Sequence, residues 1–265
     1  MQRLDESIRQ QLLMDDQSII GRPFPLAGEN ARVVQANTRH IAIILRDTGA
    51  KDRASRAAGF AANLMDASVG QHLKETVACS RGCFHCCTTY VSTSVPEIFR
   101  LAREIRGRAA TTARVVAAAG RAKAMPQLQR EVNRVPCPIL EDNACSAYAA
   151  RPLVCRAVLS TSLESCLRIF QQGSPEKFAA PPSLGALRSY LLIMLRAALV
   201  LNNLPYRNYE LTHALEIALA SADSEERWLA GEDIFKDVAV DRLDLEESPL
   251  TKIVAGLAGA VGPTI

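Results

Sequence analysis

The sequence predicts a mainly α protein: a helical body with an irregular, cysteine-rich, metal-binding insertion. Two observations predict the body. Aromatic residues make up only 5% of the 265 positions, and Ala, Leu and Arg are abundant where a β protein would show alternating β-branched runs. Apolar residues also recur at helical spacing in several separate segments. The third observation concerns the insertion, because all eight cysteines lie between Cys79 and Cys166. The expected organisation is a single helical domain over 1–265, with the cysteine-cluster region 79–166 flanked by helical segments 1–78 and 180–265.

The elements follow in order. Val33, Val34, Ile41, Ile44 and Leu45 predict a helix over Ala31–Arg46, which Asp47-Thr48-Gly49 stops. Ala57, Phe60, Ala61, Leu64 and Met65 predict a second helix over about Asp52–Leu73. After the first cysteines, Ser94-Val95-Pro96-Glu97 predicts a helix start: Ser94 is the N-cap, Val95 and Pro96 fill the first turn, and Glu97 completes a capping box. Ile98, Leu101, Ala102 and Ile105 are its apolar stripe. Thr111–Arg134 is Ala- and Arg-rich and predicts a helix broken at Pro126. Val135–Ala180 is expected to be irregular, with Pro136, Pro138, Pro152 and Pro175 inside it and Pro181 and Pro182 just beyond. Leu184–Leu201, Tyr209–Ala222, Glu225–Val238 and a short Leu250–Val261 are the remaining expected helices. No repeat period or low-complexity tract is present.

Composition excludes several classes. With 31 basic and 28 acidic side chains and 48% hydrophobic residues, the chain has enough apolar surface to offset the entropy of ordering. The start, MQRLDESIRQ, offers no apolar core for a signal peptide, so a cytoplasmic location is expected. The most hydrophobic stretch, Ala186–Leu201, is interrupted by Arg188 and Arg196, so no membrane span is expected. No phosphate-binding loop occurs; Gly256, Gly259 and Gly262 have neither the spacing nor a preceding strand.

The cysteines carry the chemistry. Cys79-Ser-Arg-Gly-Cys83-Phe-His-Cys86-Cys87 reads C-x3-C-x2-C-C, and such close spacing lets sulfurs converge on a soft or borderline metal, with Gly82 helping the turn close. A second group has Cys137 between Pro136 and Pro138, Cys145 ahead of Tyr148, Cys155 after Arg151-Pro152 and before Arg156, and a trailing Cys166. These spacings are too long for a self-contained zinc knuckle and suit ligands from two segments joined by folding. In a reducing cytosol such a cluster indicates metal before disulfides. Eight thiols can fill two four-cysteine sites, or one site with cysteines left over. Cys86 and Cys87 are expected to diverge, so that one serves a second site or is simply buried.

The ordered pattern C-x3-C-x2-C-C, a Val-x-Glu helix start at Glu97, C-P-x-L at Cys137, Pro138 and Leu140, then Cys145-x2-Tyr148-x2-Arg151-Pro152-x2-Cys155-Arg156 and a lone Cys166 resembles the CxxCxxCC cysteine-cluster (YkgJ-like) family. That family is described as zinc- or iron-chelating. The first gap is three residues where the family has two, which bears on Cys79. The resemblance implies a metal site on Cys79, Cys83, Cys86, Cys87, Cys137, Cys145, Cys155 and Cys166. A similar cluster accompanies the lysine methylases that modify flagellin, where an iron–sulfur centre is implicated; this is a likeness of motif.

An all-cysteine set with adjacent thiols favours an iron–sulfur cluster such as 4Fe-4S over Zn2+, which needs only four ligands. His85 is the one histidine within the cluster; His40, His72 and His213 fall in helical stretches. Arg81, Arg151 and Arg156 lie beside cysteines, where they could donate to sulfur and neutralise an anionic cluster, with Arg151 and Arg156 outside the ligand sphere. The alternative for Arg151 is anchoring the loop to a carboxylate on the body. Tyr148 is expected to be a core tyrosine, and Glu97 a cap. No catalytic residue is assigned. The candidate functions are a redox or metal-handling protein, a protein-modifying enzyme similar to flagellin lysine methylase, and a structural-zinc scaffold or adaptor.

Charge is uneven. Arg100–Arg134 holds nine basic residues against two acids, and Glu216–Glu247 eleven acids against three bases. The two stretches either face each other or form opposite poles. The basic one lacks the interleaved aromatics of a nucleic-acid surface. The apolar segment Ile253–Val261 is a candidate for docking on a protein partner or a second copy of the chain.

Overall fold

Ten α-helices and two small β-pairs make up the described part of the computed structural model, which covers residues 29–262 except 74–75, 81, 126–128, 130–132, 175, 177, 242–243 and 245–248. The chain is mainly α, as its composition predicts. The expected N-terminal decapeptide, Pro126 and Arg81 lie outside the described residues.

Helix α1 (Glu29–Arg46) buries Val34, Ile41, Ala42 and Leu45, and α2 (Arg53–His72) buries a face of Ala54, Ala57, Ala58, Ala61, Ala62 and Met65. So many alanines on one face let the neighbouring helices approach closely. Strand β1 (Ser92–Ser94) leads without a break into α3 (Val95–Ile105), which lies against α2 with Ile98, Phe99, Leu101 and Ile105 fully covered. Its capping box forms as predicted. Helix α4 (Ala109–Ala124) follows and ends at Met125.

The cysteine segment is less irregular than expected. Strands β2 (Leu140–Glu141) and β3 (Ala144–Cys145) form a two-residue hairpin turned by Asp142 and Asn143, both with positive φ (48° and 59°). Asp and Asn tolerate this left-handed conformation better than most residues, and it suits the twist of a tight hairpin. A single turn, α5 (Leu153–Arg156), and α6 (Leu163–Phe170) follow. Ser162 caps α6 by accepting from the Ser165 N–H.

Helix α7 (Pro182–Val200) is the central core helix, flanked by α1, α2 and the C-terminal helix. Its Ser183–Val200 window, which includes Arg188 and Arg196, is long and apolar enough to cross a membrane by length and composition alone, a test that the core helix of a globular fold also passes. Within the fold 56% of that window is buried, and Arg196 on it is neutralised by Asp244 at 2.6 and 2.9 Å.

Two further expectations are corrected. Tyr209 lies in strand β4 (Asn208–Glu210), paired antiparallel with β1, and the helix α8 (Leu211–Ala220) begins after it. The Glu210 carboxylate sets that start by accepting from the N–H groups of Thr212 (2.8 Å) and His213 (2.6 Å). In place of a helix over Glu225–Val238 there is a short α9 (Ser224–Leu229), which Gly231 ends at φ +94°. Helix α10 (Pro249–Val261) is as expected, but the apolar face offered above to a partner packs on α7 and α1, with Leu250, Val254, Leu257 and Val261 buried there.

The charged stretches face each other. Arg103 pairs with Glu225 and Lys123 with Glu216, both at 2.7 Å, and Arg106 donates to the carbonyls of Ala218 and Ser221 at the end of α8. The basic run is therefore in part an internal seam. Strands β1 and β4 run straight into α3 and α8, and because they pair antiparallel the two helices leave from opposite ends of the pair.

Candidate metal centre

All eight cysteines are free thiols. Cys79 leaves the chain beside Ser160: the Ala78 N–H donates to the Ser160 carbonyl at 2.7 Å, and the Ser160 N–H donates to Cys79 Sγ at 3.4 Å. The Ser160 hydroxyl also reaches the Cys166 thiol on α6. Gly82 sits at φ +89°, and the Cys83 N–H then closes on the Ser80 carbonyl at 3.0 Å, so the glycine does close this turn. Cys86 and Cys87 lie on a 310 turn over His85–Thr88. The neighbouring Cys87 side chain is the largest influence on Cys86 and raises its thiol. Helix α6 packs on this turn, and Gln171 at its end bonds His85 Nδ1 at 3.2 Å. His85 is thus directed to Gln171.

The second group is held from the other side. The Cys137 N–H donates to the Cys87 carbonyl at 2.8 Å, and Cys145 pairs with Leu140 across the hairpin. Cys155 rides on α5, which two anchors fix to the body. The first is Glu97, only 5% exposed, whose Oε2 accepts from Thr93 Oγ1 (2.6 Å), Ser94 Oγ (2.6 Å) and Ser94 N–H (3.1 Å) while its Oε1 accepts from the Leu153 N–H (2.6 Å). The predicted cap is therefore also a clamp on the Cys155 turn. The second is Arg156, which donates to Asp66 on α2 at 2.6 Å, to the Arg151 carbonyl at 2.8 Å and to the Ala149 carbonyl. Arg156 thereby plays the anchoring part weighed for Arg151, its bonds going to Asp66 and two backbone carbonyls.

Arg151 is the cation that faces the thiols. Its charge acts on Cys86, Cys145 and Cys155, its guanidinium lies 3.6 Å from the centre of the Tyr148 ring, and its Nε is buried with no hydrogen-bond partner. A buried N–H without an acceptor is costly unless an anion meets it. Tyr148 is 60% exposed, so the expected core tyrosine is instead a cover over Arg151.

Burial is the main force on most of these thiols. It pushes Cys137 up to about 11 and raises Cys83, Cys145, Cys155 and Cys166, while the Cys87 contact raises Cys86. Such thiols stay protonated without a metal, so binding one must release protons. Among the described residues no three Cys, His, Asp or Glu side chains draw close enough to enclose a single metal ion. The donor set still fits a soft metal group: free thiols gathered on fixed turns, with an orphaned, cationic N–H beside them.

Sequence reasoning missed Ser160, Asp66 and the Leu153 contact of Glu97. Ser160 had a readable signal, because Ser162-Leu-Glu-Ser165 is a helix start that would have placed Cys166 on a helix. Asp66 lies on an alanine-rich helix with nothing local to single it out.

Residues 78–178, which hold all eight cysteines, match the model of the CxxCxxCC family, whose description is "Putative zinc- or iron-chelating domain". No curated protein and no solved structure matches the chain.

Proposed function

We propose that the 78–178 region holds an iron–sulfur centre ligated by cysteines from both groups, and that the protein uses it in a redox or metal-handling role. The observation that carries this reading is the spacing of the thiols. They are near enough to act on one another electrostatically, yet among the described residues no three close on one ion. A cage of several irons accepts sulfurs that stand further apart than those around one zinc ion.

When bound, such a centre supplies one-electron transfer. The chain's own residues hold and tune it. The Ser160 N–H donates to Cys79 sulfur, and Arg151 sets a positive charge among Cys86, Cys145 and Cys155. Donors and cations next to thiolates stabilise the more negative state, which raises a reduction potential. The Tyr148 ring lies against the Arg151 guanidinium and holds it by a cation–π contact.

A purely structural role for zinc has less support, because Glu97 and the Arg156–Asp66 pair already fix the Cys155 turn through protein contacts. The test is anaerobic purification followed by iron, zinc and acid-labile sulfide analysis and a visible spectrum. Iron and sulfide in equal amounts, with broad visible absorption, are expected. Colourless protein carrying zinc and no sulfide would overturn the reading.

A further inference from the structure

The fold uses most of the basic run between Arg100 and Arg134 in its own contacts. Arg103, Arg108, Arg114 and Lys123 pair with Glu225, Glu104, Glu141 and Glu216, and Arg106 and Arg134 donate to backbone carbonyls. Arg121 on α4 is different. It is exposed, makes no hydrogen bond or ion pair among the described residues, and lines a cavity of about 50 Å³ that is open to solvent.

The walls of this cavity are mostly apolar and are fixed by hydrogen bonds within the protein. One wall is Ala118, Arg121 and Ala122 on α4, with Met125 at the helix end. A second is Val91 and Leu211, joined by the Leu211 N–H bond to the Val91 carbonyl at 2.9 Å. The third is the loop Pro136–Pro138. Arg114 Nε holds it to α4 through the Pro138 carbonyl at 3.1 Å, and the Cys137 N–H holds it to the 310 turn through the Cys87 carbonyl at 2.8 Å. Such a cavity is formed before any ligand arrives. Its other polar groups are engaged: the Thr89 hydroxyl donates to the Cys86 carbonyl at 2.9 Å, and the Glu210 carboxylate takes the N–H groups at the start of α8. Arg121 is the one cation in the lining.

We infer that this cavity binds a short aliphatic carboxylate, with the chain among Val91, Ala118, Ala122 and Leu211 and the carboxylate on the Arg121 guanidinium. A volume of about 50 Å³ has room for about four water-sized groups, which suits a chain of about three or four carbons. A single guanidinium fork meets a carboxylate with two parallel bonds, whereas the greater charge of a phosphate would find no second cation in this lining. The inference goes beyond the redox or metal-handling reading and does not depend on it. Cys137 in the wall nevertheless sets the ligand beside the metal region.

The experiment titrates the full-length protein with acetate, propionate, butyrate and hexanoate, and with butyramide as the neutral match, by ligand-observed NMR. Affinity is expected to rise about threefold per methylene as far as butyrate and to level off at hexanoate, whose extra carbons reach solvent. Butyramide should bind about fivefold more weakly than butyrate, and so should butyrate to Arg121→Gln, as for an exposed ion pair at the upper end of its range. Ala122→Leu fills the cavity and should abolish binding; if that variant fails to fold, the chain-length series still tests the cavity. No saturable binding of butyrate in the millimolar range, equal binding of butyramide, or affinity unchanged in Arg121→Gln would overturn the inference. Metal and acid-labile sulfide are measured on the same samples. Butyrate bound by a colourless zinc protein would uphold the cavity and overturn the iron–sulfur reading, and an iron–sulfur protein that ignores butyrate would do the reverse.

Discussion

Replacing Glu97 by Gln tests the claim that one buried carboxylate joins the helical body to the metal region. The carboxylate accepts four hydrogen bonds, two from backbone N–H groups that have no solvent to fall back on. An amide offers one acceptor oxygen and one donor nitrogen. If the nitrogen faces Leu153, donor meets donor. If it faces Thr93 and Ser94, the two hydroxyls can rotate and accept, but the Ser94 N–H is stranded. Either orientation gives up at least one charge-assisted bond and leaves one buried N–H unpaired. At about 1–3 kcal/mol for the stranded donor and about 1.5–3 for the lost bond, with hydroxyl rearrangement offsetting part, Glu97→Gln should cost about 2–4 kcal/mol. Glu97→Ala strands both N–H groups and removes buried methylenes, so about 4–7 kcal/mol is expected. Thr93→Val removes one donor of four and should cost about 1 kcal/mol.

Urea denaturation of all three variants, read as midpoint and slope, measures these costs. Hydrogen exchange at the Leu153 amide separates a clamp from a simple helix cap. Loss of the cap alone would leave that amide protected, whereas loss of the clamp exposes it along with the Cys155 turn. A Gln variant within about 0.5 kcal/mol of wild type, with Leu153 exchange unchanged, would refute the reasoning.

Three other outcomes are expected. Arg151→Gln should weaken metal retention by about tenfold and lower the reduction potential of the centre, measured by competition with a chelator and by voltammetry, because a cation beside thiolates has been removed. Asp244→Ala should cost about 3–5 kcal/mol in denaturation, since it strands Arg196 at 2% exposure, whereas Arg196→Met with Asp244→Leu should recover most of that loss. Burial and then Lys123 lower the pKa of His213, with Glu216, Glu210 and Asp237 opposing. Folding therefore disfavours its protonation. This contribution is present above the unfolded value of about 6.5 and is lost as pH falls through the lowered folded value; His213→Gln should flatten the acid side of the stability profile.

Where local chemistry decided an element, the sequence was enough to read it. Ser94-Val95-Pro96-Glu97 contains its own cap, and the α1 and α2 faces follow from apolar spacing. The misses share one physical form: a contact from far along the chain overrode local preference. Tyr209 belongs to a strand because β1, more than a hundred residues earlier, supplies its partner. The helix expected through Val238 stops early because Gly231 takes a left-handed conformation and Phe235 and Val238 fold back into the core. Segment Ile253–Val261 looked available to a partner because nothing in its sequence shows that α7 and α1 already cover it.

The metal region divides along the same line. Ligand chemistry is a property of residue type, so eight thiols within 88 positions announce themselves in the sequence. Grouping is a property of the fold, and here it runs against chain order. Cys79 is linked to Cys166 by Ser160, 81 residues from the first and six from the second. Cys87 is linked to Cys137 by a backbone bond from the Cys137 N–H to the Cys87 carbonyl. The sequence has one of Cys86 and Cys87 serving a second site or simply buried; the fold holds both on one 310 turn, where Cys87 is the largest influence on Cys86. The same reasoning separates Arg151 from Arg156, five residues apart on one motif. Asp66 claims Arg156 for the body, whereas among the described residues no carboxylate pairs with Arg151, whose charge acts on Cys86, Cys145 and Cys155.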